Sequence, residues 1–526
     1  MKLGLLELLW RGGTVLLLFL AILNLAVQSG VFAPSVVVVS TDGSDFFLGT
    51  QGWPVHTVQA GLDRVRHGGT VLIEAGTYAE RVHIRRGGSV GKPTTLAARE
   101  PGKVCLTWFT DPVSLQSDWK SEGGLLVRKV DWPVARVRVN GEECYFTHSG
   151  LKSLKDLISR PNAMAACTYE AGQLYLYVPA GMALDSEVVW NREVPEPREW
   201  GQHRSANIWI EADHVLVKGL HLQGGVGSAV RIWNANGISI TDCAFSGADF
   251  GVDATNVAGE VPRVAVQQCL YHNYPQHLWR REWLNWGDVY ANYANSCLIK
   301  STRGGATVSR NVVTHFGDGL QLTADSNRKS ETQASHNWLA FGTDDSLEAE
   351  GAAVDIDFHS NVVVDCHESL GLSPVTEGPV MIRGNLFMHP HIELNGAQIK
   401  FVPPERRRHE VICNIHILQN QFVGNWLCWY APDVQCADIE IRENRFSVRR
   451  QNSPPVPTGV SLEGNDVTVL PEQPAGLPIE EMQLDPQLLR RLDIQSVPGP
   501  SWWNWDEQSA TRELAEVRLK LQRLAP

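Results

Sequence analysis

Carboxylates crowd into residues 341–374, a stretch that otherwise has the alternating pattern of β-strands. Eight fall within 25 residues: Asp344, Asp345, Glu348, Glu350, Asp355, Asp357, Asp365 and Glu368. Like charges on neighbouring strands repel, so the cluster does not serve stability. Two carboxyl groups about 5–9.5 Å apart can hydrolyse a glycosidic bond, one as the acid and the other as nucleophile or base. The stretch predicts this chemistry if the fold brings two of the acids together.

A repeat in the second half of the chain indicates how these acids are arranged. A polar anchor precedes a short apolar step at a base interval of 24 to 26 residues, with two longer intervals. The anchors are Asp242, Gln268, Asn311, Asn337, Asn361, Asn385, Asn420 and Asn444. Asn tolerates left-handed backbone and can form hydrogen bonds from coil to coil. Because no coil buries its own apolar face, the repeat predicts stacked β-strands, one coil per repeat.

Aligning the coils predicts columns of side chains that point out of this solenoid. One column contains Asp253, Gln321, Glu348, Ser373 and Gln398, and the next contains Thr255, Thr323, Glu350, Val375 and Lys400. A line of acids, Asp249, Asp318, Asp344, Asp345 and Glu368, precedes the columns, whereas Asp355 and Asp357 fall on another, solvated sheet. Asp345 and Glu368 are 23 residues apart, close to one coil. We expect them to face each other across about 4.8 Å.

The catalytic prediction follows from this pairing. Asp345 and Glu368 form the carboxylate pair, because crowding raises one pKa and keeps that group protonated as the acid. Asp318, Asp344, Glu348 and Glu350 are predicted to bind sugar hydroxyls, and His367 to support Glu368. The alternative for each acid is a structural role, capping backbone N–H groups or holding calcium. Hydrolysis itself requires no cofactor, so calcium is a possible ligand only.

An insertion before the Asp318 coil adds candidate substrate contacts. Residues 271–295 contain Trp279, Trp283, Trp286 and Arg280 among several tyrosines and histidines. Aromatic rings stack on the apolar faces of sugars, and Arg forms hydrogen bonds with hydroxyls. An aromatic loop above an acidic groove therefore indicates carbohydrate. The alternative is that the loop buries its aromatic residues against the solenoid.

The N-terminal half carries a family resemblance. After a strand near Val36 come GSD, a helix opening at Pro54, and the runs GGTVLIEAGTY and AERVHI. This order resembles the cap and first coils of secreted right-handed parallel β-helix proteins of the pectate-lyase-like superfamily. The cap, an inserted subdomain and the solenoid together are similar to β-helical glycoside hydrolases of the β-xylosidase type. In those enzymes Asp and Glu lie on successive coils, which implies the same role for Asp345 and Glu368.

The predicted fold is all-β, with five segments along the chain. Residues 1–33 form a signal peptide or signal anchor, because a basic start precedes 13 nearly all apolar residues, 15–27. Residues 34–104 form the N-terminal cap and first coils, 105–200 an inserted β-rich subdomain, and 201–448 the parallel β-helix. Residues 449–526 form a Pro-rich tail, irregular up to 500, whose tryptophans dock on the body before a helix over 506–524. We expect an exported monomer, on a membrane only if the first segment stays uncleaved.

Composition restricts the partners and leaves three function classes. A net charge of −12, with 43% hydrophobic and 20% charged residues, argues for a globular protein without nucleic acid as a partner. The first class is a glycoside hydrolase acting on a polysaccharide or oligosaccharide. The second is a polysaccharide lyase or epimerase, with a metal on the acids and Lys400, Arg303 or His367 as the base. The third is a glycan-binding or surface scaffold without catalysis.

Overall fold

The computed structural model describes most of residues 33–524. The ranges outside the described residues are 1–32, 182–185, 194–204, 260–261, 274–286, 289–295, 325–330, 390–397, 403–404, 408, 428, 431–433, 452–455, 470–478, 480–481, 483, 497, 506–510 and 525–526. The predicted signal segment lies among them. Among the described residues, no helix combines the length and apolar character needed to cross a membrane.

The chain folds as a parallel β-solenoid, as the repeat and the family resemblance predicted. One sheet runs along the whole solenoid, and its strands pair in parallel, each with the strand of the next coil. Its described strands are Val36–Val39, Thr70–Ile73, Thr94–Ala98, Val215–Lys218, Ile238–Thr241, Val264–Gln267, Ala306–Ser309, Thr332–Ser335, Ile356–His359, Val380–Arg383, Ile412–Leu418, Cys436–Arg442 and Val460–Glu463.

A second set of parallel strands covers two further faces of the solenoid, and two long strands, Leu220–Trp233 and Ala244–Asn256, bend from one face to the other. We call the first of these the groove face. It continues through Val82–Ile84, Ala206–Ile210, Cys297–Ser301, Leu320–Leu322, Asp345–Glu348, Glu368–Gly371, Ile399–Lys400 and Trp429–Tyr430. The other, the tail face, continues through Gly76–Tyr78, Val104–Thr107, Leu270–His272, Val312–Thr314, Trp338–Ala340, Val362–Val364, Leu386–Met388, Gln421–Leu427, Arg445–Gln451 and Asp466–Val469.

The core consists of matching apolar side chains stacked from coil to coil. On the groove face, Leu320, Leu347, Leu370 and Ile399 follow one another in register and are fully buried. On the tail face, three phenylalanine rings stack with centroids 4.7 and 4.9 Å apart, namely Phe387, Phe422 and Phe446. Each coil covers the apolar face of its neighbour, which makes the solenoid cooperative along its axis.

A buried asparagine ladder holds the turns between coils, as predicted for Asn311 to Asn444. Each side-chain amide donates to the Oδ1 of the next Asn at 2.9–3.0 Å. The prediction was wrong in two details. The left-handed residue precedes each Asn, as at His336 (φ 56°). Asp242 and Gln268 occupy that preceding position, so the fully buried Cys243 and Cys269 align with Asn311.

We expect replacement of Asn361 by Ala to destabilise the solenoid. The side chain of Asn361 bridges Asn337, Asn385 and the carbonyl of Ala334, so its loss leaves buried groups without partners. Each buried group without a partner costs about 1–3 kcal/mol. Denaturant unfolding should show this loss. The exposed Asn234→Ala variant is the control, and equal stability of the two variants would contradict a role for the ladder.

The predicted inserted β-rich subdomain forms two small sheets beside the solenoid. Their strands are Val113–Ser114, Lys120–Glu122, Leu125–Lys129, Val137–Val139, Glu142–Glu143, Tyr145–Phe146, Ala166–Glu170, Gln173–Tyr177 and Glu187–Trp190, with a helix at Gly150–Ile158. Arg136 pairs with Glu143 at 3.2 Å and with Asp249 of the solenoid, and all three are buried. A buried ion pair therefore joins the subdomain to the bend between the groove and tail faces.

Both ends of the chain cover the solenoid. The N-terminal helix is Val58–Arg64, capped by Thr57, so the predicted start at Pro54 was four residues early. At the other end, Val460–Glu463 and Asp466–Val469 form one more coil in a region predicted to be irregular. The tail then contains Glu405–Arg407 as an earlier short 3₁₀ turn, and the helices Pro486–Arg491 and Arg512–Leu524.

The tryptophans of the tail dock on the tail face, as predicted. Trp505 is 4% exposed and meets Trp338 edge-on at 6.0 Å between ring centroids. Trp502 donates its ring N–H to the carbonyl of Asp242 at 3.0 Å. The tail face is therefore covered by the chain itself over this region.

Candidate active site on the groove face

Strand register places one outward row of residues along the groove face. Asp253 pairs with Lys300, Lys300 with Gln321, and Gln321 with Glu348. Glu348 then pairs with Gly371, and Gly371 with Lys400. The row therefore contains Asp253, Lys300, Gln321, Glu348, Gly371 and Lys400.

The predicted members Ser373 and Gln398 were wrong, because the strand register differs by two residues. Leu347 pairs with Leu370 rather than with Leu372. Both leucines are fully buried, so a period-two pattern fits either one. Counting from the anchors would have found the register, because Gln321 and Gly371 each lie 10 residues after an Asn anchor. The strand that carries Lys300 was also missing from the predicted row.

Asp345 and Glu368 are direct register partners on adjacent coils, as their spacing predicted. Both carboxylates contact the ammonium of Lys400: Asp345 Oδ2 lies 3.1 Å and Glu368 Oε2 lies 2.6 Å from Nζ. Asp344 Oδ1 is 3.4 Å from the same nitrogen. These side chains are between 9% and 23% exposed, so the cluster is largely shielded but open to the groove.

Gly371 makes room for this cluster. A Cβ at position 371 would lie 2.3 Å from Cγ of Asp345, far inside van der Waals contact. The side chain of Asp345 therefore lies over the backbone of the next coil, where Lys400 reaches it. The missing side chain at Gly371 thus determines where the Asp345 carboxylate sits.

We expect Gly371→Ala to reduce activity about 10²-fold, because a displacement of about 1 Å in a reacting group has that effect. Its φ lies outside the left-handed region, so alanine fits the backbone and acts only by displacing Asp345. The matched control is Gly52→Ala, where nothing lies within 4 Å of the added Cβ. Kinetics and thermal unfolding of both variants measure the effect, and an active Gly371→Ala enzyme would contradict this role.

The remaining predicted acids extend the cluster along the face. Asp318 is buried and accepts a hydrogen bond from Nε2 of Gln321 at 2.5 Å. Glu348 is the register partner of Gln321, and the charge of Glu350 acts on it. His367 Nδ1 lies 3.7 Å from Glu368 Oε1, which agrees with its predicted supporting position. Asp357 lies on the first sheet and pairs with Arg383, as expected for an acid outside the site.

Burial is the main influence on the pKa values of the cluster. It raises the pKa of Glu368 well above its usual range, and the charge of Asp345 adds to this, while Lys400 opposes it. The pKa of Asp344 is raised to about 7 by burial and by Asp345, and that of Glu350 to about 7 by the same two causes. Burial also raises the pKa values of Asp318 and Glu348. The charges of the acids raise the pKa of Lys400, so it stays an ammonium.

These shifts predict that the protein is more stable in mild acid. Asp344 has a pKa of about 7 when folded and an ordinary value of 3.8, so between these values the folded state binds more protons than the unfolded state. Stability then falls as pH rises through that window. We expect the melting temperature to fall between about pH 5 and pH 8, and to fall less in Asp344→Asn. An unchanged slope in that variant would contradict the assignment.

Two groups in the cluster have ligand atoms close enough to share a metal ion. Asp344, His367 and Glu368 form one, and Asp318, Asp344 and Asp345 the other, with the atoms of each within 4.8 Å of one another. Oxygen-rich sets of this kind suit calcium. Lys400 already supplies one positive charge to three of these carboxylates.

Two features escaped the sequence predictions, and one predicted set falls outside the described residues. Lys400 was placed in the wrong column, because an insertion over 390–397 precedes its strand. Ser369, next to Glu368, is fully buried and donates to Gln398 at 2.7 Å, which anchors the strand. The predicted contacts Trp279, Trp283, Trp286 and Arg280 lie outside the described residues. Asp288, in the same insertion, pairs with Arg160 of the subdomain at 2.6 Å.

Comparisons with known proteins identify similar architecture only. No family model matches the chain, and no curated protein does. Among solved structures, a XylC complex with xylose is 12% identical with a TM-score of 0.45 and covers 81% of this chain and 86% of its own. A glycoside hydrolase is 14% identical at TM-score 0.43, covering 85% of this chain and 100% of its own.

Two further solved structures have other activities in their names. A GH136 lacto-N-biosidase from Eubacterium ramulus is 14% identical at TM-score 0.44, covering 83% of this chain and 68% of its own. A mannuronic acid specific polysaccharide family 6 lyase from human gut microbiota is 8% identical at TM-score 0.37, covering 88% and 94%. These similarities are too distant to carry an argument about activity. The function therefore has to be argued from the site.

Proposed function

We propose that this protein is a carbohydrate-active enzyme, a retaining glycoside hydrolase with Asp345 as the nucleophile and Glu368 as the acid/base. The observation that carries the proposal is the register pair Asp345–Glu368, whose carboxylates both bind Nζ of Lys400. Two oxygens on one nitrogen, at 3.1 and 2.6 Å, cannot be further apart than the sum of those distances. Retaining enzymes separate their carboxyl groups by about 5–5.5 Å, inverting ones by about 6.5–9.5 Å.

The two roles follow from the environments of the two groups. A general acid must hold its proton at the working pH, and the raised pKa of Glu368 supports that role. The negative charge of Asp345 helps to keep that proton in place, which requires Asp345 to be the ionised partner. After glycosylation of Asp345 removes its charge, the pKa of Glu368 falls, so Glu368 can then accept a proton from water.

Lys400 supports hydrolysis better than it supports elimination. A lyase base must be neutral to accept a proton, whereas the acids around Lys400 raise its pKa. As an ammonium, Lys400 stabilises the charge of Asp345 and orients both carboxylates. Asp318, Asp344, Glu348 and Glu350 are then available to form hydrogen bonds with sugar hydroxyls. The proposal includes export of the enzyme, which rests on the sequence of residues 1–33.

The second candidate is a polysaccharide lyase or epimerase. The observation that favours it is the set of carboxylates close enough to hold a metal ion, with Lys400 among them. A divalent cation on the acids would release Lys400 and neutralise a uronate. A glycan-binding scaffold is the third candidate, and it shares the groove but requires no turnover.

Analysis of products separates the three candidates. Residues 34–526 are incubated with a panel of soluble glycans, and reducing ends, absorbance near 235 nm and the anomeric configuration of fresh products are followed. We expect reducing ends with retained configuration, without unsaturated products, and with little effect of chelator. Unsaturated products that disappear with chelator would overturn the hydrolase in favour of the lyase. Inverted configuration would overturn the nucleophile role, and binding without turnover would favour the scaffold.

A further inference from the structure

The outward row of the groove face continues beyond the acid cluster toward the N-terminal end of the solenoid. Asp253 pairs with Arg231, Arg231 with Trp209, and Trp209 with His83. The same straight row of parallel strands therefore joins Gly371, beneath the Asp345 carboxylate, to Trp209. Trp233 lies on the same coil as Arg231, two residues further along its strand.

Trp209 and Trp233 form a half-exposed aromatic platform on this row. Their ring centroids are 6.2 Å apart, and the guanidinium of Arg231 lies 5.2 and 5.5 Å from the two rings. Glu211 accepts a hydrogen bond from the ring N–H of Trp209 at 3.1 Å and pairs with His83 at 2.7 Å. The rings are therefore held in place before any ligand arrives, which lowers the entropic cost of binding.

The solenoid core does not account for these two rings. Trp338 and Trp505 are almost fully buried and belong to the apolar cluster between the tail and the tail face. Trp209 and Trp233 belong to none of the apolar clusters formed by the described residues. Tryptophan that is held rigidly on a surface, with one face accessible, is typical of binding sites with an amphipathic ligand.

Distance and charge indicate which ligand fits both the platform and the acid cluster. Coils are about 4.8 Å apart, so Trp233 lies about 24 Å and Trp209 about 29 Å along the row from Gly371. One pyranose advances a chain by roughly one such step, so a chain of about five or six sugars spans the distance. Asp253, Glu348 and the acids around Lys400 give the row a negative excess, which repels polyuronates. A neutral glycan can instead stack its rings on tryptophan.

We propose that the groove face binds an extended neutral glycan chain, with Trp209 and Trp233 as a remote subsite about five or six sugars from Asp345 and Glu368. This inference rests on the proposed function, because it takes the acid cluster as the place where the chain is cut. Arg231 orients the two rings, and Asp253 fixes Arg231 from the other side at 3.6 Å. The enzyme is thereby matched to polymers rather than to disaccharides.

Binding to the platform can be measured without turnover. Native gels cast with soluble xylan, galactan, mannan or mixed-linkage β-glucan, and separately with polygalacturonate, are run with the parent chain, Trp209→Ala/Trp233→Ala and Trp53→Ala. Trp53 is 61% exposed on the N-terminal cap and serves as the matched control. We expect one neutral polymer to retard the parent and Trp53→Ala, with at least tenfold weaker affinity for the double variant. Loss of two stacking contacts at about 1 kcal/mol each gives this scale.

Kinetics on a retarding polymer and on its disaccharide complete the test. The ratio of kcat/KM on polymer to that on disaccharide should fall at least tenfold in the double variant, through KM. Equal retardation of all three proteins, retardation by polygalacturonate alone, or no retardation by any neutral polymer would overturn the subsite. Loss of binding in the double variant without hydrolysis by the parent would refute the proposed function and leave the subsite standing. Glu368-dependent hydrolysis with an unchanged ratio would do the reverse.

Discussion

Replacement of Glu368 by Gln is expected to reduce kcat for hydrolysis by about 10²–10⁴-fold, the usual contribution of a general acid. Gln keeps the size of the side chain but has no proton to give to the leaving oxygen. The loss should be smallest on substrates with a good leaving group, because these need little protonation. In the parent, the alkaline limb of the pH–rate profile reports deprotonation of Glu368, so this limb should disappear in Glu368→Gln. Steady-state kinetics over pH measures both effects.

Asp345→Asn tests the other member of the pair, and we expect the loss to persist even with an activated leaving group. The matched control is Asp355→Asn, from the same acidic stretch of sequence. Asp355 is exposed and left-handed (φ 54°), a conformation that Asn adopts readily. Its activity should equal that of the parent. If Asp345→Asn and Glu368→Gln retained parental turnover, the proposed pair would be wrong.

Removal of the charge at Lys400 is expected to have the second large effect. Lys400→Met retains most of the apolar stem but leaves Asp344, Asp345 and Glu368 without their shared cation. Loss of one partner from a buried ion cluster costs about 3–5 kcal/mol. Because the uncompensated acids ionise with rising pH, the loss of stability should be greater at pH 8 than at pH 5. Denaturant unfolding at the two pH values checks this.

The same variant should lose about 10²–10³-fold in kcat, the scale for one preorganised electrostatic contact. Without the ammonium, the pKa of a neighbouring carboxyl group rises, so the acidic limb of the pH–rate profile should move to higher pH. Lys218→Met is the control, since Lys218 is an exposed lysine on the first sheet. A shift of the acidic limb to lower pH would contradict the role of Lys400 as counter-ion to the nucleophile.

The sequence determined the repeat, because a solenoid imposes a local and periodic requirement on every coil. Each turn needs a side chain that can bond to the next, and the Asn series from Asn311 to Asn444 shows this requirement directly. The distance of 23 residues between Asp345 and Glu368 then sufficed to predict that they meet. Where the anchors were not Asn, at Asp242 and Gln268, the prediction shifted by one residue. There the side chains did not reveal the backbone position.

Only the tertiary structure decided which residues share the site with that pair. Leu370 and Leu372 are both buried, so alternation left a two-residue ambiguity that exchanged Ser373 for Gly371 in the row. The insertion before Ile399–Lys400 hid the register of Lys400 in the same way.

The acidic stretch therefore meant something different once folded. Sequence placed a dense set of carboxylates on successive coils, because strand periodicity is a local property. The charge that those acids surround comes from Lys400, 55 residues after Asp345, and it reaches them across Gly371. Likewise, Trp209 and Trp233 lie more than 100 residues before the acids and join their row only through the stacking of intervening coils. Register between distant strands is a cooperative outcome of packing, and it was the structure that determined it.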